Sequence, residues 1–313
     1  MKIAVVIPCY NVSKHIEDVI QAIPKEVNWI IVVNDCSLDN TEAILLKLKD
    51  DNSKLIYIKH TINQGVGGAM LSGYLKSLEL RADLTVKMDG DGQMDASNIQ
   101  KLIKPLISDK ADFCKGNRFR NFKALRSMPL SRRIGNLGLS FIIKAASGYW
   151  NIFDPTNGFT AIKNEVLAGI DFSKIHKRYY FETSFLIELY YNNAVIVDIP
   201  MEAKYGDEIS GLSRIKTLLE FPPRLFLAFI KRIILKYYLF DFNIASLYIL
   251  FGLPLFVYGI VDGILNWYAY SSSHLAAPTG TIIIPTLLII LGFQLLLSAI
   301  SFDITNFPKK TSI

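Results

Sequence analysis

Apolar residues gather into short, nearly unbroken runs at residues 2–7, 29–33, 55–59, 84–88 and 111–115. Runs of this length with few polar interruptions are strands of a parallel sheet covered on both faces. Between them, residues 13–23, 39–49, 66–80 and 97–107 carry apolar positions at helical spacing. This alternation predicts an α/β domain, a doubly wound and mostly parallel sheet whose ligands bind beyond the carboxyl ends of the strands. The pattern weakens over residues 118–147, where Pro129 interrupts it, and that segment reads as mobile or membrane-touching. A strand at 158–162, a helix at 182–191 and a strand at 195–199 follow.

The C-terminal pattern is different. Residues 242–261 and 281–302 contain no charged side chain, and each approaches the roughly 20 apolar residues that cross a bilayer. Pro254 and Pro285 sit more easily in membrane helices than in soluble ones. Asp262 is read as structural, at the outer end of the first span where it reaches the interface. Residues 213–240 mix basic side chains with Phe, Leu and Ile around Pro222-Pro223, as one or two amphipathic helices lying on the bilayer would. The expected organisation is therefore an α/β domain at 1–212, juxtamembrane helices at 213–240, and two spans within 241–306, at about 242–264 and 281–302.

Composition agrees: 51% of the 313 residues are hydrophobic, and the mean hydropathy of +0.29 is high for a purely soluble protein. Lys231, Arg232 and Lys236 precede the first span and Lys309 and Lys310 follow the second, while the connecting loop has no Lys or Arg. The positive-inside rule then places both termini in the cytoplasm. The apolar run at 3–7 is too short for a signal peptide, so the N-terminal domain is expected to stay cytoplasmic on an integral membrane protein. Cys9, Cys36 and Cys114 lack metal-site spacing and are expected as reduced thiols. The net charge is +6, and residues 115–144 carry eight basic and no acidic side chains. A solvated face is the plain explanation. No nucleic-acid motif accompanies the run, so anionic lipid or phosphate is the better-motivated partner.

Candidate chemistry falls at the strand ends. Asp89-Gly90-Asp91-Gly92-Gln93 follows the run at 84–88. Two carboxylates one residue apart on a glycine turn suit Mg²⁺ or Mn²⁺, which take oxygen ligands and leave positions for substrate phosphates. A surface turn is the bland alternative. Pro8-Cys9-Tyr10-Asn11 ends the first strand, and Asn34-Asp35-Cys36-Ser37-Leu38-Asp39 ends the second. Asp35 reads as a ligand acid and Asp39 as a helix cap. Asn63-Gln64-Gly65-Val66-Gly67-Gly68 opens a helix. Its small residues either admit a phosphate or ribose to backbone N–H groups or simply make a tight helix start.

Together, Pro8-x-Tyr10-Asn11, Asn34-Asp35-x-Ser37-x-Asp39, Asn63-x-Gly65 and Asp89-Gly-Asp91-Gly-Gln93 resemble family 2 glycosyltransferases with the GT-A fold, over about residues 1–205. The chain is most similar to polyisoprenyl-phosphate glycosyltransferases of the dolichol-phosphate mannose synthase type. Lys115-Gly116-Asn117-Arg118, Asp154-Pro155-Thr156-Asn157-Gly158-Phe159 and two C-terminal spans also match. Asn34 stands where the family usually has an acid, and Cys36 where glycine is usual.

The resemblance implies a donor site of Pro8, Tyr10, Asn11, Asp35, Asn63, Gly65 and Asp89, with Asp89, Asp91 and Gln93 on Mg²⁺ or Mn²⁺. It implies that Arg118, with Arg132 or Arg133, grips the donor diphosphate or the acceptor phosphate, and that Asp154 lines the sugar and acceptor. Glu182 aligns with an acid near the acceptor, or is a helix-start acid. The activity implied is inverting, metal-dependent transfer of a sugar from a UDP- or GDP-linked donor to undecaprenyl or dolichyl phosphate. A family 2 enzyme with a glycan or glycolipid hydroxyl acceptor is the alternative, and it makes Asp154 or Glu182 a general base. A non-catalytic scaffold is a third reading, disfavoured by the intact Asp89, Asp91 and Gln93. Expected partners are a nucleotide sugar, polyprenyl phosphate and membrane lipids, with no nucleic acid; a homo-oligomer is left open.

Overall fold

The computed structural model describes residues 1–118, 130–201 and 214–310. It divides into two compact units, Met1–Ala228 with Pro308–Ile313, and Phe229–Phe307.

The first unit is built on seven strands, β1 (Ile3–Cys9), β2 (Trp29–Asn34), β3 (Leu55–Lys59), β4 (Leu84–Lys87), β5 (Phe113–Asn117), β6 (Thr160–Lys163) and β7 (Ile196–Pro200), in the order β3-β2-β1-β4-β6-β5-β7. β1 pairs in parallel with β2 and β4, β2 with β3, and β5 with β7. β6 alone runs against its neighbours β4 and β5. Helices α1 (Ile16–Gln21), α2 (Thr41–Asp51), α3 (Val66–Glu79) and α4 (Ile99–Ile107) alternate with the first strands. α5 (Leu130–Ser147), the short α6 (Asn164–Leu167) and α7 (Phe181–Tyr191) follow.

The strands are buried because both faces are covered. Val5, Val6, Ile7, Ile31, Val32 and Val33 are wholly inaccessible. α4 shows how periodicity sets packing, since Ile99, Leu102, Ile103 and Leu106 recur at helical spacing and are the residues it buries. The strand order reverses between β1 and β4, which opens a crevice at their carboxyl ends.

Two expectations change. Residues 130–147, expected within an irregular stretch, form helix α5, whose buried side chains include Ile143 and Ala146 near its end. Long exposed faces at Leu137 and Phe141 blur the amphipathic signal there; residues 119–129 lie outside the described part. The prolines at 222 and 223 do not break the juxtamembrane segment. One helix, α8 (Arg214–Ile234), runs through both and ends in a π-helical turn, Leu235–Phe240.

The second unit centres on α9 (Ile244–Ser273) and α10 (Thr279–Thr305), both long and apolar enough to cross a membrane. Their backbones approach where glycines remove side chains. A Cβ on Gly259 would lie 2.9 Å from Ile289 and 3.0 Å from the Pro285 carbonyl, the small-residue packing that lets apolar helices associate without a hydrophobic drive. α9 continues past Asp262 to Ser273. Arg232 is fully buried and bidentate to Asp303, 2.8 Å at each oxygen, and the Tyr237 hydroxyl donates to the same carboxylate at 2.6 Å. One cation counted toward membrane orientation is thus neutralised internally.

α3 packs on β1 through Gly73, where a Cβ would overlap the Val6 side chain. Overpacking of a rigid core costs about 1–3 kcal/mol, so Gly73→Ala is expected to lower the thermal midpoint of the full chain in detergent. An unchanged midpoint contradicts this packing.

Candidate active site

The crevice is a cavity of about 460 Å³ lined by Pro8, Tyr10, Asp35, Asn63, Gly65, Lys87, Asp89, Asp91, Arg178, Tyr179 and Glu182, among others. Parallel strands deliver its polar groups. β1 ends in the Pro8–Asn11 turn, β2 leads into Asp35, and β4 leads into Asp89. Asn11 takes a left-handed φ of 56°, and its side-chain oxygen accepts from the Leu38 amide at 2.8 Å while Ser37 Oγ accepts from its own amide at 3.1 Å. The loops after β1 and β2 are therefore one hydrogen-bonded unit.

Asp35 is nearly inaccessible, yet its carboxylate is fully engaged. Oδ1 accepts from the Gln64 amide at 2.8 Å and lies 2.6 Å from His60 Nδ1, and Oδ2 accepts from the Gly65 amide at 2.7 Å. His60 Nε2 meets Ser72 Oγ at 2.8 Å. Asn63 Nδ2 donates to the Asp35 carbonyl at 3.1 Å. Asp35 thus anchors the glycine-rich loop in addition to facing the cavity. The neighbouring departures from the family pattern now have physical reasons. Asn34, buried, donates to the Tyr57 hydroxyl at 3.1 Å and accepts from the Ser37 amide at 3.0 Å, so its neutral amide satisfies both contacts without burying a charge. Cys36 holds φ 61°, the left-handed region in which glycine is at home. Asp39 accepts from the Thr41 amide at the start of α2 and from the Ser13 amide, both at 3.1 Å. Burial works against its charge, but hydrogen bonds from the Ser13 and Thr41 side chains, with those from their amides, hold its pKa down at about 2.

The glycines at the start of α3 also admit a neighbouring segment of the chain. Gly68 N donates to the Lys177 carbonyl at 3.0 Å. A Cβ on Gly65 would sit 2.7 Å from the Lys177 carbonyl, and one on Gly67 2.9 Å from Lys177 Cα. The missing side chains make room for the backbone of residues 176–178, and the amides of residues 64, 65 and 68 are already used within the protein.

Asp89 and Asp91 share a turn in which Gly92 takes φ 77°. Asp91 Oδ1 accepts from the Gln93 amide at 3.0 Å. Beneath them Lys87, 2% exposed, reaches Asp89 Oδ1 at 2.8 Å and Glu182 Oε1 at 3.6 Å. Burial pulls the Lys87 pKa down, but Asp89 and Glu182 outweigh it and the net shift is upward, so the ammonium stays charged. Lys115 lies across β6 in the same row, both lysines opposing Thr160. Its pKa is lowered to about 8 by burial, against the pull of Glu182 and Asp154. Gly158 leaves the space these groups occupy, since a Cβ there would collide with Lys87 Nζ and Asp89 Oδ2.

The structure brings together Pro8, Tyr10, Asp35, Asn63, Gly65, Asp89, Asp91 and Glu182 around one cavity. Arg118 and Asp154 meet each other instead. Asp154 is wholly buried and takes Arg118 Nε at 2.8 Å and Nη2 at 3.1 Å in a fork-to-carboxylate pair. Arg132 and Arg133 belong to α5, with their side chains outside the described part. Among the described residues no group of three His, Cys, Asp or Glu side chains forms a metal cage. Two carboxylates facing a cavity still fit a hard Mg²⁺ or Mn²⁺ ion, whose remaining positions substrate phosphates fill. The Cys9 thiol in the same wall is no soft ligand, because burial, with Asp89 and Asp39 beside it, pushes its pKa far up.

The family model for Glycosyl transferase family 2 matches residues 4–170, and the chain belongs to that family. It is a glycosyltransferase with the GT-A architecture. It is 36% identical over 218 residues to the UDP-N-acetylglucosamine–dolichyl-phosphate N-acetylglucosaminyltransferase of Methanococcus voltae, covering 66% of this chain and 86% of that one. It is 28% identical over 223 residues to the dolichol-phosphate mannosyltransferase of Pyrococcus furiosus, covering 69% of this chain and 60% of that one. The glucosyl-3-phosphoglycerate synthase of Mycobacterium tuberculosis, crystallised with Mn²⁺, UDP and glucosyl-3-phosphoglycerate, shares the fold with a TM-score of 0.54 at 18% identity, over 74% of this chain and 79% of that one.

Several wall residues escaped the motif reading. Lys87 carries a legible signal, because a lysine two places before Asp89 in a buried strand points to the same face. Arg178 and Tyr179 lie in a basic and aromatic cluster just before Glu182, but only folding carries them to Asn63. Asp198, on β7, lies behind the Arg118–Asp154 pair: its Oδ2 accepts from the Phe153 amide at 2.7 Å and Asn117 Nδ2 at 2.9 Å, while Oδ1 is buried with no hydrogen-bond partner among the described residues. Burial raises its pKa from 3.8 to about 6, with the Phe153 bond and Lys115 opposing. Because the folded state binds this proton more tightly, Asp198 favours folding below pH 3.8 and loses that contribution as pH rises through about 6. Asp198→Asn is therefore expected to gain stability relative to wild type between pH 4 and 7. A stability difference that stays flat across that window contradicts the assignment.

Proposed function

We propose that this chain transfers a sugar from a nucleoside-diphosphate donor to a polyprenyl phosphate, with inversion, at the cytoplasmic face of a membrane. The observation that carries the reading is the single cavity at the β1/β4 crevice, where Asp35, Asn63, Asp89, Asp91 and Glu182 converge. Relatives named for dolichyl phosphate acceptors support the acceptor class. The membrane location rests on the two long apolar helices, which hold the chain where a lipid acceptor is concentrated.

Asp91, with Asp89 and Gln93, would hold Mg²⁺ or Mn²⁺, which supplies positive charge against the departing nucleoside diphosphate. Asp35, Tyr10, Pro8, Asn11 and Asn63 bind the nucleoside end, and the loop they form is fixed before the donor arrives. Lys87 holds the Asp89 and Glu182 carboxylates in place beside the sugar. A phosphate oxygen of the acceptor attacks the anomeric carbon as the bond to the donor diphosphate breaks. That oxygen is already anionic near neutral pH, so the reaction needs positioning more than a general base. The placement of Asp154 supports this, because its carboxylate is wholly buried and held by two nitrogens of Arg118, which leaves it little access to an acceptor hydroxyl. Arg132 and Arg133 are proposed to grip phosphate alongside Arg118.

The direct test incubates the full-length protein with Mn²⁺, UDP- and GDP-sugars and undecaprenyl or dolichyl phosphate, followed by mass spectrometry of the lipid. The expected product is a lipid-linked sugar; absence of any with every donor overturns the reading. Asp91→Ala is expected to lower turnover by about 10²–10³ with an unchanged melting profile. EDTA should reproduce the loss in wild type, and Mn²⁺ should reverse it. Full activity after complete metal removal refutes the metal assignment.

A further inference from the structure

Among the described residues lining the cavity, four carboxylates (Asp35, Asp89, Asp91 and Glu182) face two cations, Lys87 and Arg178. A nucleoside diphosphate entering this wall of negative charge needs a cation besides the metal. Lys87 is buried and committed to Asp89 and Glu182. Arg178 is exposed, and its side chain is lightly held: Nη2 donates to the Asn63 carbonyl at 3.4 Å, near the limit of a useful hydrogen bond. A phosphate oxygen would make a shorter, charge-assisted bond and replace that contact at little cost.

The backbone bearing Arg178 is, by contrast, firmly placed. The Lys177 carbonyl accepts from Gly68, the His176 amide donates to Ser184 Oγ at 3.0 Å, and the Phe181 amide donates to the Arg178 carbonyl at 2.8 Å. Gly65 and Gly67 lack the side chains that would push residues 176–178 off the cavity, and Lys177 Nζ adds a 3.2 Å bond to Gln64 Oε1. We propose that residues 176–179 form a fixed strap over the nucleotide end of the site and that Arg178 is the protein's own ligand for the donor diphosphate. The strap explains the glycine-rich loop as a seat for this arginine. It eases the excess of carboxylates, since the guanidinium would add positive charge to whatever the metal supplies.

The inference rests on the reading of the cavity as a nucleotide-sugar site, and the test separates the two. Calorimetry on the full chain in detergent with Mn²⁺ compares UDP and GDP with uridine and guanosine. Arg178→Ala is expected to weaken the preferred nucleoside diphosphate by at least ~10-fold, about 1.4 kcal/mol, while leaving the nucleoside unchanged. Arg178→Lys should recover part of the loss, because it keeps the charge without the planar fork, and it serves as the readout if the alanine variant does not fold. Unchanged diphosphate affinity in both variants overturns the proposal. So does an equal loss for nucleoside and diphosphate, which would make Arg178 a prop for the loop. Failure of wild type to bind any of these nucleotides overturns the site reading itself, and the proposal with it.

Discussion

The site depends on an ammonium buried inside the sheet. Lys87 sits where a parallel strand should carry an aliphatic side chain, 2% exposed, with Asp89 at 2.8 Å and Glu182 at 3.6 Å. An isolated charge there would be strongly destabilising, and an unpaired acid cluster above it would repel its own members. Each sign makes the other tolerable. The row continues across β6 to Lys115, which lacks so close a carboxylate and whose pKa burial lowers to about 8. The sheet thus supplies charge from beneath, and the loops receive a preset acidic wall instead of having to assemble one around the substrate.

The loops above this wall are locked to one another. Asp35 ties the end of β2 to the amides of residues 64 and 65, Asn11 ties the end of β1 to Leu38, and Gly68 ties α3 to Lys177. Segments far apart in sequence become one surface through hydrogen bonds that water could otherwise satisfy, and burial of Asp35 makes that exchange worthwhile. The second unit meets a different constraint. Its two long helices have little polar surface to pair, so they associate through glycine contacts, while the buried Arg232–Asp303 pair ties the end of α8 to α10.

Much of this was legible in the chain. Near-continuous apolar runs marked the strands within a few residues, since a strand covered on both faces has no polar positions to spare. The polar clusters at their ends followed, because a parallel sheet gathers successive carboxyl ends on one edge. Charge-free stretches marked the two apolar helices for an equally local reason, that each satisfies its own backbone.

What the sequence alone could not decide were the partnerships made across distance. It placed Arg118 and Asp154 in separate motifs, whereas folding joins them into one ion pair. It left the glycines at 65 and 67 open between room for a ligand and a tight helix start, and in the fold they make room for the backbone at 176–178. It passed over Arg178, which has no motif of its own, and it left open whether Pro222-Pro223 divides a juxtamembrane segment that forms one helix. Local composition fixes which segments can be strands or apolar helices, because burial of one segment is a property of its own side chains. Which charge meets which, and which glycine admits which chain, depends on sequence separations that no local pattern encodes, and only the folded chain sets them.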